Sequence, residues 1–221
     1  MQNEAAVFVV DPDPATRDAV RNLVYTMNLQ CEAYDSGEAF FEAGVLARPG
    51  CAVLEVRVPG INGLEIQQQL TARGSTLPVI FLTAHATLSI AVRAMRAGAV
   101  HFLEKPFREH ELWDAILEAI TVDGQRRERA AQQQDCESRL ARLNVRDRWV
   151  LKMIAEGRSK KAIAEAMDVC VRTVELRRSQ LMKKLELRSL SELVHFALIA
   201  ADAPKENTNG HQRSVDLAQP R

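Results

Sequence analysis

Short runs of β-branched and aromatic residues alternate with amphipathic segments through the first half of the chain. In order they are Ala6–Val10, Ala15–Met27, Cys31–Tyr34, Gly37–Ala43, Cys51–Glu55, Leu64–Arg73, Pro78–Thr83, Leu88–Ala97, Val100–Glu104 and Glu109–Thr121. That alternation predicts five strand–helix units. The runs AVFVV and PVIFL are apolar at every position, the mark of strands buried on both faces. An α/β fold follows: a five-stranded, doubly wound parallel sheet with helices on both sides. The functional crevice of such a sheet lies beyond the carboxyl ends of its strands. Those ends carry Asp11-Pro12-Asp13, Glu55, Thr83 and Glu104-Lys105.

The pattern changes after Thr121. From there to Leu143 the chain is polar, alanine-rich and free of proline, which predicts a helical linker with Gly124 as its weak point. Four short amphipathic helices are expected next, over Asn144–Glu156, Lys160–Met167, Val171–Leu185 and Ser189–Ala201. Residues 203–221 lack apolar periodicity and are expected to be disordered. The expected organisation is a sheet domain over 1–121, a linker over 122–142, a small all-α helix-turn-helix domain over 143–202 and a tail over 203–221.

At 221 residues the chain has room for two small cores. Its net charge of zero hides an asymmetry, because residues 1–121 hold 9 Lys/Arg against 15 Asp/Glu and residues 136–202 hold 14 against 9. A basic half beside an acidic one points to a nucleic-acid partner for the former. The four cysteines, Cys31, Cys51, Cys136 and Cys170, form no Cys-x-x-Cys pair and no metal-spaced cluster with histidine, as in a reduced, cytoplasmic protein. No apolar run approaches ~18 residues and MQNEAA is not built as a signal peptide, so neither secretion nor a membrane partner is expected. No nucleophile–base pair, glycine-rich phosphate loop or zinc spacing suggests an enzyme.

Carboxylates, a hydroxyl and a lysine at strand ends suit metal binding, phosphoryl transfer or plain ion pairing, and spacing alone does not choose. The segments VVDPDPATR, LEVRVPGINGLE, FLTAHA and AGAVHFLEKPF resemble the receiver domain of bacterial two-component response regulators over residues 6–121, and VRVPGINGLE with GAVHFLEKPF resembles the FixJ branch. In that family an aspartate ending the third strand accepts a phosphoryl group from a histidine kinase. Two acidic residues after the first strand hold Mg²⁺, while a Thr or Ser and a Lys meet the phosphoryl oxygens. The resemblance implies these roles for Asp11, Thr83 and Lys105, the switching aromatic for Phe102, and a cis bond before Pro106.

Two positions depart from the family, and both touch the same reaction. Glu55 stands at the phosphoacceptor position and Pro12 where a direct metal ligand is expected. Proline supplies no side-chain oxygen and restricts Asp11, leaving Asp11, Asp13 and Glu55 as a loose cation site at most. Mg²⁺ binding is expected to be weak or absent. The extra methylene moves the carboxylate outward by ~1.5 Å, a scale that matters to in-line transfer, and carries it toward Thr83 and Lys105. Three readings stay open: Glu55 as a built-in partial mimic of the phosphorylated state, an inert ion pair with Lys105, or residual phosphorylation or another modification.

In the second half, Ile163, Ala164, Met167, Val174, Leu181 and Leu185 fall on inner faces of a helix pair, with Val150, Leu151 and Ile154 completing a core. The outer face carries Arg172, Thr173, Glu175, Leu176, Arg177, Ser179, Gln180 and Lys183, suited to bases and phosphates, or simply to water. Residues Leu143–Ala197, with AEGRSKKAIA, RTVELRRSQLMKKL and SLSELV, resemble the LuxR/FixJ-type DNA-binding domain. The resemblance implies phosphate anchoring by Lys161, Thr173 and Lys184, base contact by Glu175, Leu176 and Ser179, and either role for Arg177 and Arg178. Lys160 and Arg177 replace the family's usual Asn and His and are expected to steepen salt dependence. Cys170 replaces the usual N-cap Ser and is expected to be half-buried and inert rather than a redox sensor.

The implied partners are double-stranded DNA, a second copy of the chain on paired half-sites, and a histidine kinase or other protein at the receiver. The chain is thus expected to be a transcription regulator independent of ordinary phosphorylation, against a conventional kinase-driven regulator or a protein-docking module.

Overall fold

Strand side chains point alternately to the two faces of a sheet, and the runs Ala6–Val10, Gly50–Leu54 and Val79–Thr83 are buried on both, while Gln30–Tyr34 and His101–Glu104 at the edges are only partly buried. The computed structural model describes residues 5–202; the tail expected to be disordered lies outside them. Strands β1 (Ala6–Val10), β2 (Gln30–Tyr34), β3 (Gly50–Leu54), β4 (Val79–Thr83) and β5 (His101–Glu104) form one parallel sheet in the order β2-β1-β3-β4-β5. Phe8, Val10, Leu54 and Phe81 enter one core layer with Phe40, Ile66 and Ala94. Val7, Val9, Val53, Ile80 and Leu82 enter the other with Val20, Val24, Leu112 and Ile116. The first layer is covered by α2 (Gly37–Glu42), α3 (Gly63–Ala72) and α4 (Leu88–Arg96), the second by α1 (Pro14–Thr26) and α5 (Glu109–Ala141). This is the doubly wound sheet that the alternating pattern predicts.

The chain reverses its direction of travel across the sheet at β1, which pairs with β2 on one side and β3 on the other. Ligand crevices open at such a switch point, and the residues next after β1 and β3 are Asp11 and Glu55. The opposite end of β3 is fixed by Gly50, at φ +139°, where a Cβ would lie 1.8 Å from the Ala6 carbonyl oxygen. Only glycine accepts that conformation and that approach.

The boundary expected at residue 121 has no counterpart in the backbone. Helix α5 runs unbroken for 33 residues through Gly124, and the chain divides into compact units after Ala130 instead. The reason lies in residues that composition marked as linker. Buried Asp123 accepts from Gly50 N (2.9 Å) and Arg127 Nε (2.7 Å), while Arg127 donates to the Ala47 carbonyl (2.9 Å) and to that of Arg48. The start of the presumed linker therefore belongs to the sheet unit. Its end belongs to the helical unit, where Cys136, Leu140 and Leu143 pack into the core and Arg139 donates to the Leu185 carbonyl at 3.0 Å.

The helical unit continues with α6 (Val145–Ala155), α7 (Lys160–Ala166), α8 (Val171–Lys184) and α9 (Leu190–Asp202). Val150, Leu151, Leu181, Leu185, Leu193 and Phe196 form its main cluster, and Ile163, Ala164 and Val174 join α7 to α8. Between those two helices Asp168 takes the left-handed conformation (φ 52°), which Asp tolerates better than most residues. No helix among the described residues is long and apolar enough to cross a membrane.

Replacing Asp123 with Ala strands the buried Gly50 N–H and removes the carboxylate from Arg127, which keeps its bonds to the Ala47 and Arg48 carbonyls. The expected loss is about 1–3 kcal/mol, read as a lower urea midpoint; an unchanged midpoint contradicts the anchoring role.

Candidate phosphoacceptor crevice and nucleic-acid interface

Four strand ends deliver the crevice. The parallel ladder extends one residue past β1, β3 and β5, through Asp11 N to the Tyr34 carbonyl (3.0 Å), Glu55 N to that of Val10 (2.9 Å) and Lys105 N to that of Thr83 (2.8 Å), and Thr83 is itself the last residue of β4. Side-chain directions at these positions are thus set by the sheet. Close behind Glu55, Gly63 opens α3 so tightly that a Cβ would lie 2.2 Å from the Glu55 carbonyl oxygen.

Asp11, Glu55 and Thr83 are buried, and the Lys105 side chain is 16% exposed. The Lys105 ammonium lies 2.5 Å from Asp11 Oδ2 and 2.9 Å from Glu55 Oε2. Glu55 Oε1 accepts from the Thr83 hydroxyl and from Arg57 N (3.2 Å), and Oε2 accepts also from Ala84 N (3.2 Å). Asp11 Oδ1 accepts from Asp13 N at 3.0 Å. Every carboxylate oxygen of the pair has a donor.

Burial pushes the Asp11 carboxyl up, and its bonds from Lys105 and Asp13 N only partly offset this. Burial acts on Glu55 in the same sense, but hydrogen bonds from Thr83, Lys105 and Arg57 N override it and hold the carboxyl below its ordinary value. For Lys105 burial opposes the charge, yet the bonds to Asp11 and Glu55 raise its pKa.

Asp13 does not join this group, so the loose grouping of Asp11, Asp13 and Glu55 considered from the sequence is not assembled. The exposed Asp13 carboxylate caps α1, accepting from Ala15 N (3.1 Å), Thr16 N (3.3 Å) and the Thr16 hydroxyl (2.8 Å). A helix start has orphan N–H groups, and Asp is among the side chains that best satisfy them. Pro12 is exposed, and its carbonyl, with that of Asp11, accepts from Arg17 Nη1 at 3.0 and 2.7 Å. No group of three or more His, Cys, Asp or Glu among the described residues is placed to hold a metal. Phe102 is half-buried with its ring centroid 6.0 Å from that of Phe81, and the Lys105–Pro106 bond is cis.

On the helical unit, Lys160, Lys161, Arg172, Glu175, Leu176, Ser179, Gln180, Lys183 and Lys184 are exposed, while Thr173, Arg177 and Arg178 are half-buried. Leu176 is 60% exposed on α8, where a core role would have buried it. Lys160 Nζ lies 2.6 Å from Glu175 Oε1, and Lys184 Nζ lies 2.5 Å from Oδ2 of buried Asp147 on α6. The second pair ties the end of α8 back to its own domain.

Cys170 is exposed rather than half-buried, because the N-cap of α8 sits at the open turn. Its side chain makes no capping bond to the backbone; the thiol lies 3.2 Å from the Thr173 hydroxyl, and that contact holds its pKa below the ordinary value.

Comparison with known proteins agrees with both halves. Residues 7–117 match the response regulator receiver domain, and residues 141–197 match the bacterial regulatory proteins of the luxR family. The transcriptional regulatory protein FixJ of Azorhizobium caulinodans is 38% identical, over 94% of this chain and 98% of that protein. The transcriptional regulatory protein TdiR of Thauera aromatica is 34% identical over 89% and 86%. Among solved structures, that of the response regulator StyR has a TM-score of 0.76 at 38% identity, covering 87% of this chain and 98% of that one. The chain belongs to the response regulators. It is a transcription regulator of the FixJ type with a LuxR-type DNA-binding domain, and not an enzyme.

Within this response regulator, the donors that sequence reasoning missed are Arg57 N and Ala84 N, since a backbone N–H carries no residue signature. The pairs Lys160–Glu175 and Lys184–Asp147 were missed for another reason: their members are 15 and 37 residues apart, on different helices.

The depressed Glu55 pKa means that this group stabilises the fold above its unfolded value of 4.5 and loses that contribution as pH falls through the lower folded value. The raised Asp11 pKa acts in the opposite sense. In urea titrations taken from neutral to acid pH, Glu55→Gln is expected to lose less stability below about pH 4.5 than wild type does. Parallel losses in the two proteins contradict the assignment.

Proposed function

We propose that this regulator binds paired DNA half-sites as a dimer and that its receiver is set without ordinary phosphoryl transfer, Glu55 acting as a built-in partial mimic of the phosphorylated state. One observation carries the reading: the Glu55 carboxylate is held at once by Thr83, Lys105 and Ala84 N. An ion pair that merely neutralised the crevice would need Lys105 alone. In this chain the longer side chain brings its own oxygens to the groups that otherwise meet phosphoryl oxygens.

The site does not fit Mg²⁺. Pro12 offers no side-chain oxygen, Asp13 is turned into a helix cap, and the oxygens of Asp11 and Glu55 are occupied by Lys105 and N–H donors. A rigid octahedral ion has no set of free ligands there, so a kinase encounter would lack the charge that assists transfer. On the DNA side, Lys161 and Thr173 are the proposed phosphate contacts, Lys184 being engaged by buried Asp147, and Glu175, Leu176 and Ser179 are the base contacts, with α8 in the major groove.

Incubation with Mg²⁺ and a small phosphodonor is expected to leave no base-labile label on the wild type. Glu55→Asp alone should label poorly and Glu55→Asp with Pro12→Asp much better; full labelling of the single variant would overturn the metal argument.

Affinity for a site selected from random duplexes by unphosphorylated protein is expected to fall in Glu55→Ala. Equal affinity of the two proteins returns Glu55 to an inert ion pair.

A further inference from the structure

Lys160 is the first residue of α7, behind the N-cap Ser159, and Glu175 lies in the second turn of α8. Their ion pair, at 2.6 Å, therefore joins the two helices of the helix-turn-helix across its outer side. The side chains remain 45% and 50% exposed. So exposed a pair contributes little to folding, and its effect is to be sought in what this face meets.

A carboxylate carried toward DNA approaches phosphates of its own sign. Its favourable partners are amino donors on base edges, and the one that pairs with Glu by geometry is the N4 group of cytosine in the major groove. An untethered Glu spreads over many rotamers and must be ordered on binding. Held by Lys160, the carboxylate keeps one oxygen on the lysine and presents the other, and its charge is offset where phosphates would repel it. The Lys160 bond, with the charges of Arg178 and Arg172 behind it, also keeps Glu175 ionised and so an acceptor only. The same contact withdraws Lys160 from phosphate binding. Lys161 beside it is exposed and makes no ion pair among the described residues.

We infer that Lys160 is a positioning residue, holding the Glu175 carboxylate on a cytosine edge and so setting preference at one base pair of the operator, instead of anchoring a phosphate. The inference rests on the reading that the outer face of α8 enters the major groove, and it replaces the expectation that Lys160 steepens salt dependence.

The test uses the full chain and a duplex selected from a random pool. Affinity is measured for that duplex and for every single base-pair change, across a salt series, in wild type, Lys160→Ala, Lys160→Arg, Glu175→Ala and Lys161→Ala. Lys160→Ala should relax a cytosine preference at one position by about fivefold or more and leave the salt slope unchanged, whereas Lys160→Arg should keep the preference. Lys161→Ala should weaken all duplexes alike and lower the slope by about one per protomer. If Glu175→Ala alters no preference, the base-facing reading of α8 fails and this inference with it. If Glu175→Ala relaxes the cytosine position while Lys160→Ala does not, Lys160 does not position Glu175, and if Lys160→Ala lowers the slope with uniform loss, Lys160 is a phosphate contact; either result overturns the inference alone.

Discussion

The Lys105 ammonium, 2.5 Å from Asp11 and 2.9 Å from Glu55, is what allows two carboxylates to share one buried crevice. Without it, burial and mutual repulsion would both drive a proton onto one of them. The strand ends that carry Asp11, Glu55, Thr83 and Lys105 are held by ladder hydrogen bonds, so the backbone cannot carry one of these residues away from the others. The crevice of this receiver is therefore internally compensated. An incoming phosphoryl group would have to displace a carboxylate from the hydroxyl and amide it already holds.

Compensation of the same kind recurs on the helical unit, with a different purpose. The Lys184–Asp147 pair closes the end of α8 onto α6, where Asp147 is buried and needs a partner. The Lys160–Glu175 pair is open to water and stabilises little, which leaves it free to shape a contact surface. Burial separates the two: a buried carboxylate demands its cation for folding, an exposed one does not.

Helix α5 shows how composition misleads at a domain boundary. A polar, alanine-rich stretch is what an exposed linker helix requires, but it is equally what a helix requires when its contacts are polar. Asp123 and Arg127 bind the backbone at Gly50, Ala47 and Arg48, and neither residue type announces such a contact. Meanwhile Cys136, Leu140 and Leu143 enter the second core.

The sequence by itself determined the five strand–helix units, the two-sided burial of the sheet, the helix pair of the second domain and the four positions of the crevice. These follow from hydrophobic periodicity and from motifs, which are local, and the unexpected Glu55 and Pro12 were visible against that frame. Tertiary structure alone decided which oxygen of Glu55 meets which donor, that Asp13 caps a helix instead of joining the acidic group, and that Lys160 and Lys184 each meet a carboxylate of another helix. Each of these depends on side-chain direction and on backbone N–H groups brought together from distant segments. A one-dimensional pattern carries neither.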